Sequence, residues 1–174
     1  MVKTAVLVVV GMLCGMLRQD VDNPEYKHWA KFKKGATATS KSETDMGSMK
    51  TEGEMTVTLV ELGAEKAVVE TKMTSIVMGN KTEMPAQKRD VPAKVKKVEG
   101  DPAKKPECKE GDEEIDVAGK KIKCHWVETV TETAGQKTTT KMWTSDEIPG
   151  TVAKMEMTNA QMKMKSWVTS FKTE

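Results

Sequence analysis

The sequence predicts a mainly β protein, formed by one strongly curved antiparallel sheet or an open barrel, with a short N-terminal helix and a proline-rich crossover. Long stretches rich in Thr and Val show partial alternation of apolar and polar residues, which is typical of half-buried strands. Turn pairs such as Ala118-Gly119, Ala134-Gly135 and Pro149-Gly150 separate these stretches. Only 4% of the residues are aromatic and 37% are hydrophobic, so the core is expected to depend on Val, Met, Ile and Leu.

Residues 1–19 are predicted to be an export signal. Lys3 precedes the apolar run from Ala5 to Leu17, which has the length of a signal-peptide core and is short for a membrane span. An uncleaved anchor is the alternative. Attachment of a lipid to Cys14 is a weaker alternative, because Leu13 stands where a small residue is normally expected. We therefore expect an exported protein of the periplasm or cell envelope.

Residues 20–174 are predicted to form a single antiparallel β domain. The segment from Asn23 to Ala30, with Pro24 near its start, indicates a short helix. Strands are then predicted at 36–43, 49–62, 66–78, 113–117, 121–131, 137–145, 151–157 and 161–171.

Residues 79–112 are predicted to cross between the two groups of strands. The segment contains Pro85, Pro92, Pro102 and Pro106 and many charged residues. Proline lacks a backbone N–H, so this segment is not expected to contain a central strand. A surface crossover and a lid over the open face of the sheet are the two interpretations.

A methionine-rich hairpin is the candidate binding site. If Asn159 and Ala160 form its tip, one face carries two cross-strand pairs, Met157 opposite Met162 and Met155 opposite Met164. The same register places Glu156 opposite Lys163 on the other face. One face is then soft and apolar, and the predicted ligand-lining residues are Met155, Met157, Met162 and Met164.

Three functions fit this face. The first is non-catalytic binding of a hydrophobic ligand or lipid in the bacterial cell envelope, because methionine is flexible and fills irregular apolar space. The second is a structural or interaction module with an envelope protein partner and no ligand. The third is binding of a soft metal such as Cu(I) by the thioethers, although the hairpin contains no His or Cys.

Cys108 and Cys124 are the candidate disulfide. An exported protein reaches an oxidising compartment, which favours a bond between its two remaining cysteines. The expected geometry opposes the bond, because a tight turn at Ala118-Gly119 places Cys124 opposite Glu113 and leaves Cys108 well beyond it.

Composition and spacing argue against several other classes of protein. The 28 basic residues nearly balance the 26 acidic ones, and only Arg18 and Arg89 are arginines, so nucleic-acid binding is not expected. His28 and His125 are far apart and have no metal-site spacing. Phosphate-binding glycine loops and the G-x-S-x-G motif are absent. We therefore expect no enzyme, no catalytic residues, no cofactor and no metal ligands among the site residues.

The segment from Glu113 to Met157 resembles a group of uncharacterised exported bacterial proteins. The residues that carry this resemblance are Lys121-Ile122-Lys123-Cys124 after a tight glycine turn, Trp143-Thr144-Ser145-Asp146-Glu147-Ile148-Pro149-Gly150, Met84-Pro85-Ala86 and Val91-Pro92-Ala93-Lys94. More distantly, the order of strands resembles the lipoprotein-carrier (LolA-like) fold, an incomplete antiparallel barrel with an apolar concave face. The resemblance implies a protein that shields acyl chains from water, and it assigns no individual functional residue.

Overall fold

A nine-stranded antiparallel sheet forms the body of the protein in the computed structural model, which describes residues 20–47, 49–77, 79–96, 107–133 and 135–174. The elements are β1 (Asp20–Asp22), α1 (Pro24–Trp29), β2 (Thr37–Asp45), β3 (Lys50–Leu62), β4 (Lys66–Val77), β5 (Asn80–Pro92), β6 (Lys94–Lys96), β7 (Glu107–Val117), β8 (Lys120–Thr133), β9 (Gln136–Thr144), β10 (Val152–Thr158) and β11 (Lys163–Lys172). The predicted export signal and Cys14 lie outside the described residues.

The order of strands in the sheet is β5-β4-β3-β2-β11-β10-β9-β8-β7, and β1 and β6 form a separate two-stranded sheet. Every neighbouring pair in the large sheet is antiparallel. The predicted fold class is confirmed: the protein is mainly β with little helix. The strand order has two free ends, β5 and β7, so the sheet is open and does not close into a barrel.

Helix α1 forms where the sequence predicts it. Asn23 is its N-cap, and the Asn23 side chain accepts a hydrogen bond from the backbone N–H of Glu25 at 3.0 Å. Pro24 follows in the first turn, where its missing N–H costs nothing. Asn23 Nδ2 also donates to the carbonyl of Pro92 at 2.8 Å, so the start of the helix is attached to the end of β5.

Two edge strands occupy much of the segment predicted to be a crossover. β5 contains Pro85 and pairs with β4, and β7 begins at Glu107. The crossover prediction is therefore wrong for 80–92 and 107–112, whereas 97–106 lies outside the described residues. Proline is tolerated at an edge because the missing N–H need not face a partner strand. Every residue of β5 except Val91 is exposed, so the strand shows no alternation of apolar and polar residues.

Two hydrophobic clusters hold the sheet and its connections together. One packs Trp29 and Phe32, at and just after the end of α1, against Leu59, Val69 and Val91 of β3, β4 and β5. The other combines Cys124, Trp143, Ile148 and Val168. Val57 packs against both clusters, so the helix, the sheet and the 145–151 loop share one continuous interior.

Candidate functional site

The methionine hairpin forms with a register that differs from the predicted one. Met157 lies opposite Met164, and Met155 lies opposite Ser166. The predicted pairs of Met157 with Met162 and Met155 with Met164 are wrong. Glu156 lies opposite Lys165 instead of Lys163, which keeps an opposite-charge pair on the other face.

The side chain of Asn159 explains the change of register. Its Oδ1 accepts hydrogen bonds from the backbone N–H groups of Gln161 at 2.9 Å and Met162 at 2.8 Å. The backbone N–H of Asn159 donates to the carbonyl of Met162 at 2.9 Å, so the tip of the turn is Ala160-Gln161. Relative to the predicted register, the partner of each β10 residue lies two positions further along the chain. Because side chains alternate along a strand, a shift of two positions keeps Met155, Met157 and Met164 on one face. Met162 lies in the turn, before β11 begins.

Other methionines extend this face across the sheet. Met142 of β9 lies directly opposite Met155. On the other side of the sheet, Met84, Met73 and Met55 lie side by side on β5, β4 and β3. We call the face that carries Met55, Met73, Met84, Met142, Met155, Met157 and Met164 the methionine face.

The middle strands connect the two groups of methionines on one face. Met55 lies opposite Ser40, which lies opposite Val168. Val168 is two residues from Ser166, and Ser166 lies opposite Met155. Directly opposed residues of an antiparallel pair share a face, as do alternate residues of one strand.

An apolar groove of about 370 Å³ opens on the methionine face. Met55 and Val57 line it from β3, and Met155 and Val168 line it from β10 and β11. Trp29 and the Pro149–Thr151 segment line the opposite side. Of the four predicted ligand-lining residues, only Met155 lines this groove, whereas Met55 lines it without having been predicted.

The loop from Ser145 to Thr151 is positioned by specific contacts. Gly150 has φ = 83°, a conformation that favours glycine, and a Cβ built there would lie 3.4 Å from Cγ2 of Val57. His28 Nε2 lies 2.9 Å from the carbonyl of Ile148 and must donate to it, because a carbonyl only accepts. These contacts hold the loop against α1 and β3 beside the groove.

An ion pair lies at the mouth of the groove. The guanidinium of Arg89 on β5 donates to both carboxylate oxygens of Glu25 on α1, with Nη1 3.1 Å from Oε2. This bidentate contact with Arg89 is the main reason that the pKa of Glu25 is lowered. The indole N–H of Trp29, also in the groove lining, is buried and has no hydrogen-bond partner of good geometry.

A row of charged residues crosses the opposite face of the sheet, which we call the charged face. Glu128, Lys141, Glu156, Lys165 and Glu43 lie side by side on five successive strands, β8, β9, β10, β11 and β2. Each of the four steps between neighbouring strands places opposite charges next to each other, which favours this register.

Tryptophan and lysine side chains stack on the same charged face. Lys141 Nζ lies 4.1 Å from the ring centre of Trp126, and Lys154 Nζ lies 4.3 Å from that of Trp143. Trp143 Nε1 donates to Glu113. Trp143 is only 4% exposed and also belongs to the core cluster with Cys124 and Ile148, against which Trp126 packs, so both tryptophans contact core residues as well as lysines.

A second hollow, of about 460 Å³, lies near the tip of the hairpin. Met164 contributes to it, but most of the lining is charged or polar and includes Glu43, Asp45, Lys50 and Lys163. This hollow does not suit an apolar ligand.

The candidate disulfide between Cys108 and Cys124 is not formed. Both cysteines are free: Cys108 is exposed and Cys124 is buried. Cys108 lies opposite Thr129, whereas Cys124 lies opposite Glu113. Five residues separate Thr129 from Cys124 along β8, a distance of about 17 Å. A disulfide needs Cα atoms within about 7 Å.

The usual metal-binding side chains are not gathered in the described part of the chain. No group of three or more His, Cys, Asp and Glu side chains there could hold a metal ion. His125 Nδ1 lies 3.0 Å from Asp112 Oδ1 at the exposed edge formed by β7 and β8.

The six-residue α1 is short, and no helix among the described residues has the length and apolar character to cross a membrane.

Comparison with known proteins shows the fold. No protein-family model matches the chain, and no curated protein matches it. A crystal structure of a Bacteroides fragilis protein, inferred to be exported and with a YmcC-like fold, is similar with a TM-score of 0.50 and 8% identity, covering 81% of this chain and 97% of that one.

The crystal structure of an inferred lipoprotein from Parabacteroides distasonis is similar to the same degree. Its TM-score is 0.50 at 8% identity, and the match covers 80% of this chain and 96% of that chain. The chain thus shares its fold with these two structures. The more distant likeness to the lipoprotein-carrier fold stays a prediction.

Proposed function

We propose that the protein binds a hydrophobic ligand or lipid on the methionine face, in the bacterial cell envelope, without catalysing a reaction. The observation that carries the proposal is the apolar groove next to a row of exposed methionines. The groove volume of about 370 Å³ lies within the range of small-molecule sites, roughly 300 to 1,000 Å³. Burial of apolar surface stabilises a complex by about 25 cal/mol per Å².

The methionines of this face are more exposed than core side chains. Met55 and Met73 are 38% and 43% exposed, whereas neighbouring Leu59 and Val69 on the same strands are fully buried. Core packing alone leaves this apolar surface in water, where it contributes nothing to stability. A bound apolar molecule would cover it, and flexible methionine side chains adapt to such a ligand at low cost.

The charged groups at the groove are better suited to binding a ligand than to catalysing a reaction. The Arg89 guanidinium lowers the pKa of Glu25, so this carboxylate is a weak base at neutral pH. The envelope location rests on the predicted export signal and on the two proteins of the same fold, one inferred to be exported and one inferred to be a lipoprotein.

A structural or interaction module remains the alternative. Its natural contact would be a free sheet edge. β5 is a poor edge for strand addition because it contains Pro85 and a high density of charges, both of which discourage pairing. The edge strand β7 carries mostly acidic side chains, so a partner there would need a basic strand.

Titration with the fluorescent apolar probe N-phenyl-1-naphthylamine tests the proposal. The double variant Met55→Ser/Met155→Ser changes two groove residues, and Glu156→Ser/Lys165→Ser is the matched control on the charged face. We expect the first variant to bind the probe at least about tenfold more weakly, a loss of roughly 1.4 kcal/mol, and the control to bind normally. Unchanged binding by a folded Met55→Ser/Met155→Ser variant would contradict the proposal.

A further inference from the structure

Three methionines form one row on neighbouring strands at the β5 side of the sheet. Met73 of β4 lies directly opposite Met55 of β3 on one side and directly opposite Met84 of β5 on the other. Directly opposed residues have Cβ atoms about 4.5–5.5 Å apart. Each thioether sulfur lies near the end of a flexible, unbranched side chain, so all three sulfurs can approach one point above Met73.

The three side chains are all available to a ligand. Their exposed fractions are 38% for Met55, 43% for Met73 and 41% for Met84. Packing within the protein therefore leaves each of them accessible, and no rearrangement of the core is needed for the sulfurs to converge.

The surroundings of this row are uncharged. Gly53 and Val57 flank Met55 on the same face, and Thr71 and Ser75 flank Met73. The nearby charged residues Glu54 and Glu83 lie opposite Thr74 on the other face. Hard cations such as Mg²⁺ and Ca²⁺ prefer carboxylate oxygens, whereas thioethers prefer soft cations.

We propose that Met55, Met73 and Met84 form a binding site for one soft monovalent cation, Cu(I) or Ag(I), with three thioether sulfurs as ligands. The site shares Met55 with the proposed apolar groove, but it depends on sulfur and not on apolar area, so substitution by leucine tests it independently of apolar binding. A single positive charge suits the site because three neutral ligands on an uncharged surface offer nothing to balance a higher charge.

Titration with Ag(I), followed by native mass spectrometry, tests the site directly. Thiolates also bind soft cations, so every chain in the test begins at Asp20 and carries Cys108→Ser and Cys124→Ala. The test variant adds Met55→Leu, Met73→Leu and Met84→Leu, which removes the sulfurs and keeps apolar side chains of similar size. The matched control instead adds Met142→Leu, Met155→Leu and Met164→Leu on the same face.

We expect the parent chain and the control to bind one equivalent of Ag(I), and the test variant to bind it at least tenfold more weakly. X-ray absorption of the Ag(I) complex should then show sulfur ligands at the metal. The proposal is overturned if the parent binds no Ag(I), if the test variant keeps the parent's affinity, or if the control loses as much as the test variant. Far-UV circular dichroism of the test variant checks that its β-sheet is intact.

Discussion

Met155 of β10 lies directly opposite Met142 of β9, on the face of the sheet that carries the apolar groove. The next pair toward the hairpin tip, Met157 and Met164, lies on the same face. This side of the sheet therefore continues the soft surface formed by Met84, Met73 and Met55 on β5, β4 and β3. The opposite side of β9 and β10 pairs Lys141 with Glu156, so the two faces differ sharply in chemistry.

The methionine face should contribute little to the stability of the protein. Leu59→Ala should lower the free energy of unfolding by about 2–5 kcal/mol, because Leu59 is fully buried and its truncation leaves a cavity. Met73→Ala should cost less than about 1 kcal/mol, because Met73 is 43% exposed. Urea unfolding of both variants measures the difference. Equal losses would mean that Met73 is a core residue and that the open face is not available for a ligand.

Gly111 allows the indole of Trp126 to lie close to β7. A Cβ built at Gly111 would lie 2.9 Å from Cζ2 of Trp126, too close for a normal contact. Gly111→Ala should therefore cost about 1–3 kcal/mol of stability through displacement of the indole. At Gly63 the nearest atom to a built Cβ is 3.5 Å away, so Gly63→Ala is the control. Thermal unfolding checks both variants, and similar melting temperatures would show that Trp126 is not held against Gly111.

The two cysteines should react very differently with iodoacetamide. Cys108 is exposed, whereas burial raises the pKa of the Cys124 thiol, with smaller contributions from Glu147 and Glu113. A chain that begins at Asp20 should take up one label when native and two when denatured, and Cys108→Ser should abolish the native label. Intact mass measurement counts the labels. A native chain that takes up no label without reductant but gains label after reduction would instead indicate a disulfide.

The ion pair between Glu25 and Arg89 should make stability depend on pH in the acid range. Arg89 lowers the pKa of Glu25 from its ordinary value of 4.5, so the stabilisation is present above that value. It is lost as the pH falls through the lowered pKa of the folded state. The pair is partly exposed, so the effect should be less than about 1 kcal/mol.

A double-mutant cycle isolates this contribution. Glu25→Gln and Arg89→Gln should each flatten the acid limb of the stability curve, and the double variant should flatten it no further than either single variant. Urea unfolding between pH 7 and pH 3 measures the curves. Additive effects of the two substitutions would show that the side chains act independently.

Local patterns predict most of the strands but not their partners. Strands β2, β3 and β4 are visible in the sequence because Thr and Val alternate with polar residues. The β7–β8 turn is visible because Ala118-Gly119 is a turn-like pair, and the structure gives both residues positive φ values of 54° and 77°, as a tight hairpin requires. β5 was missed because almost all of its side chains face solvent, so no alternation marks it.

The binding face could be predicted only in part, for a physical reason. Met155 and Met157 are close in sequence to Met164, so a hairpin argument brings them together. Met55, Met73 and Met84 join the same face only through pairings of β3, β4 and β5 with one another and with β2. The hairpin register was also missed, because the hydrogen bonds of the Asn159 side chain move the turn by one residue.

Native mass spectrometry of the exported chain, purified without detergent, tests the central claim most directly. We expect a mass above that of the polypeptide which disappears on denaturation, with an apolar molecule or lipid among the released species. The Met55→Ser/Met155→Ser variant should carry less of it than the Glu156→Ser/Lys165→Ser control. Bare protein from repeated preparations, still bare after incubation with lipids, would contradict ligand binding and favour a structural or interaction module.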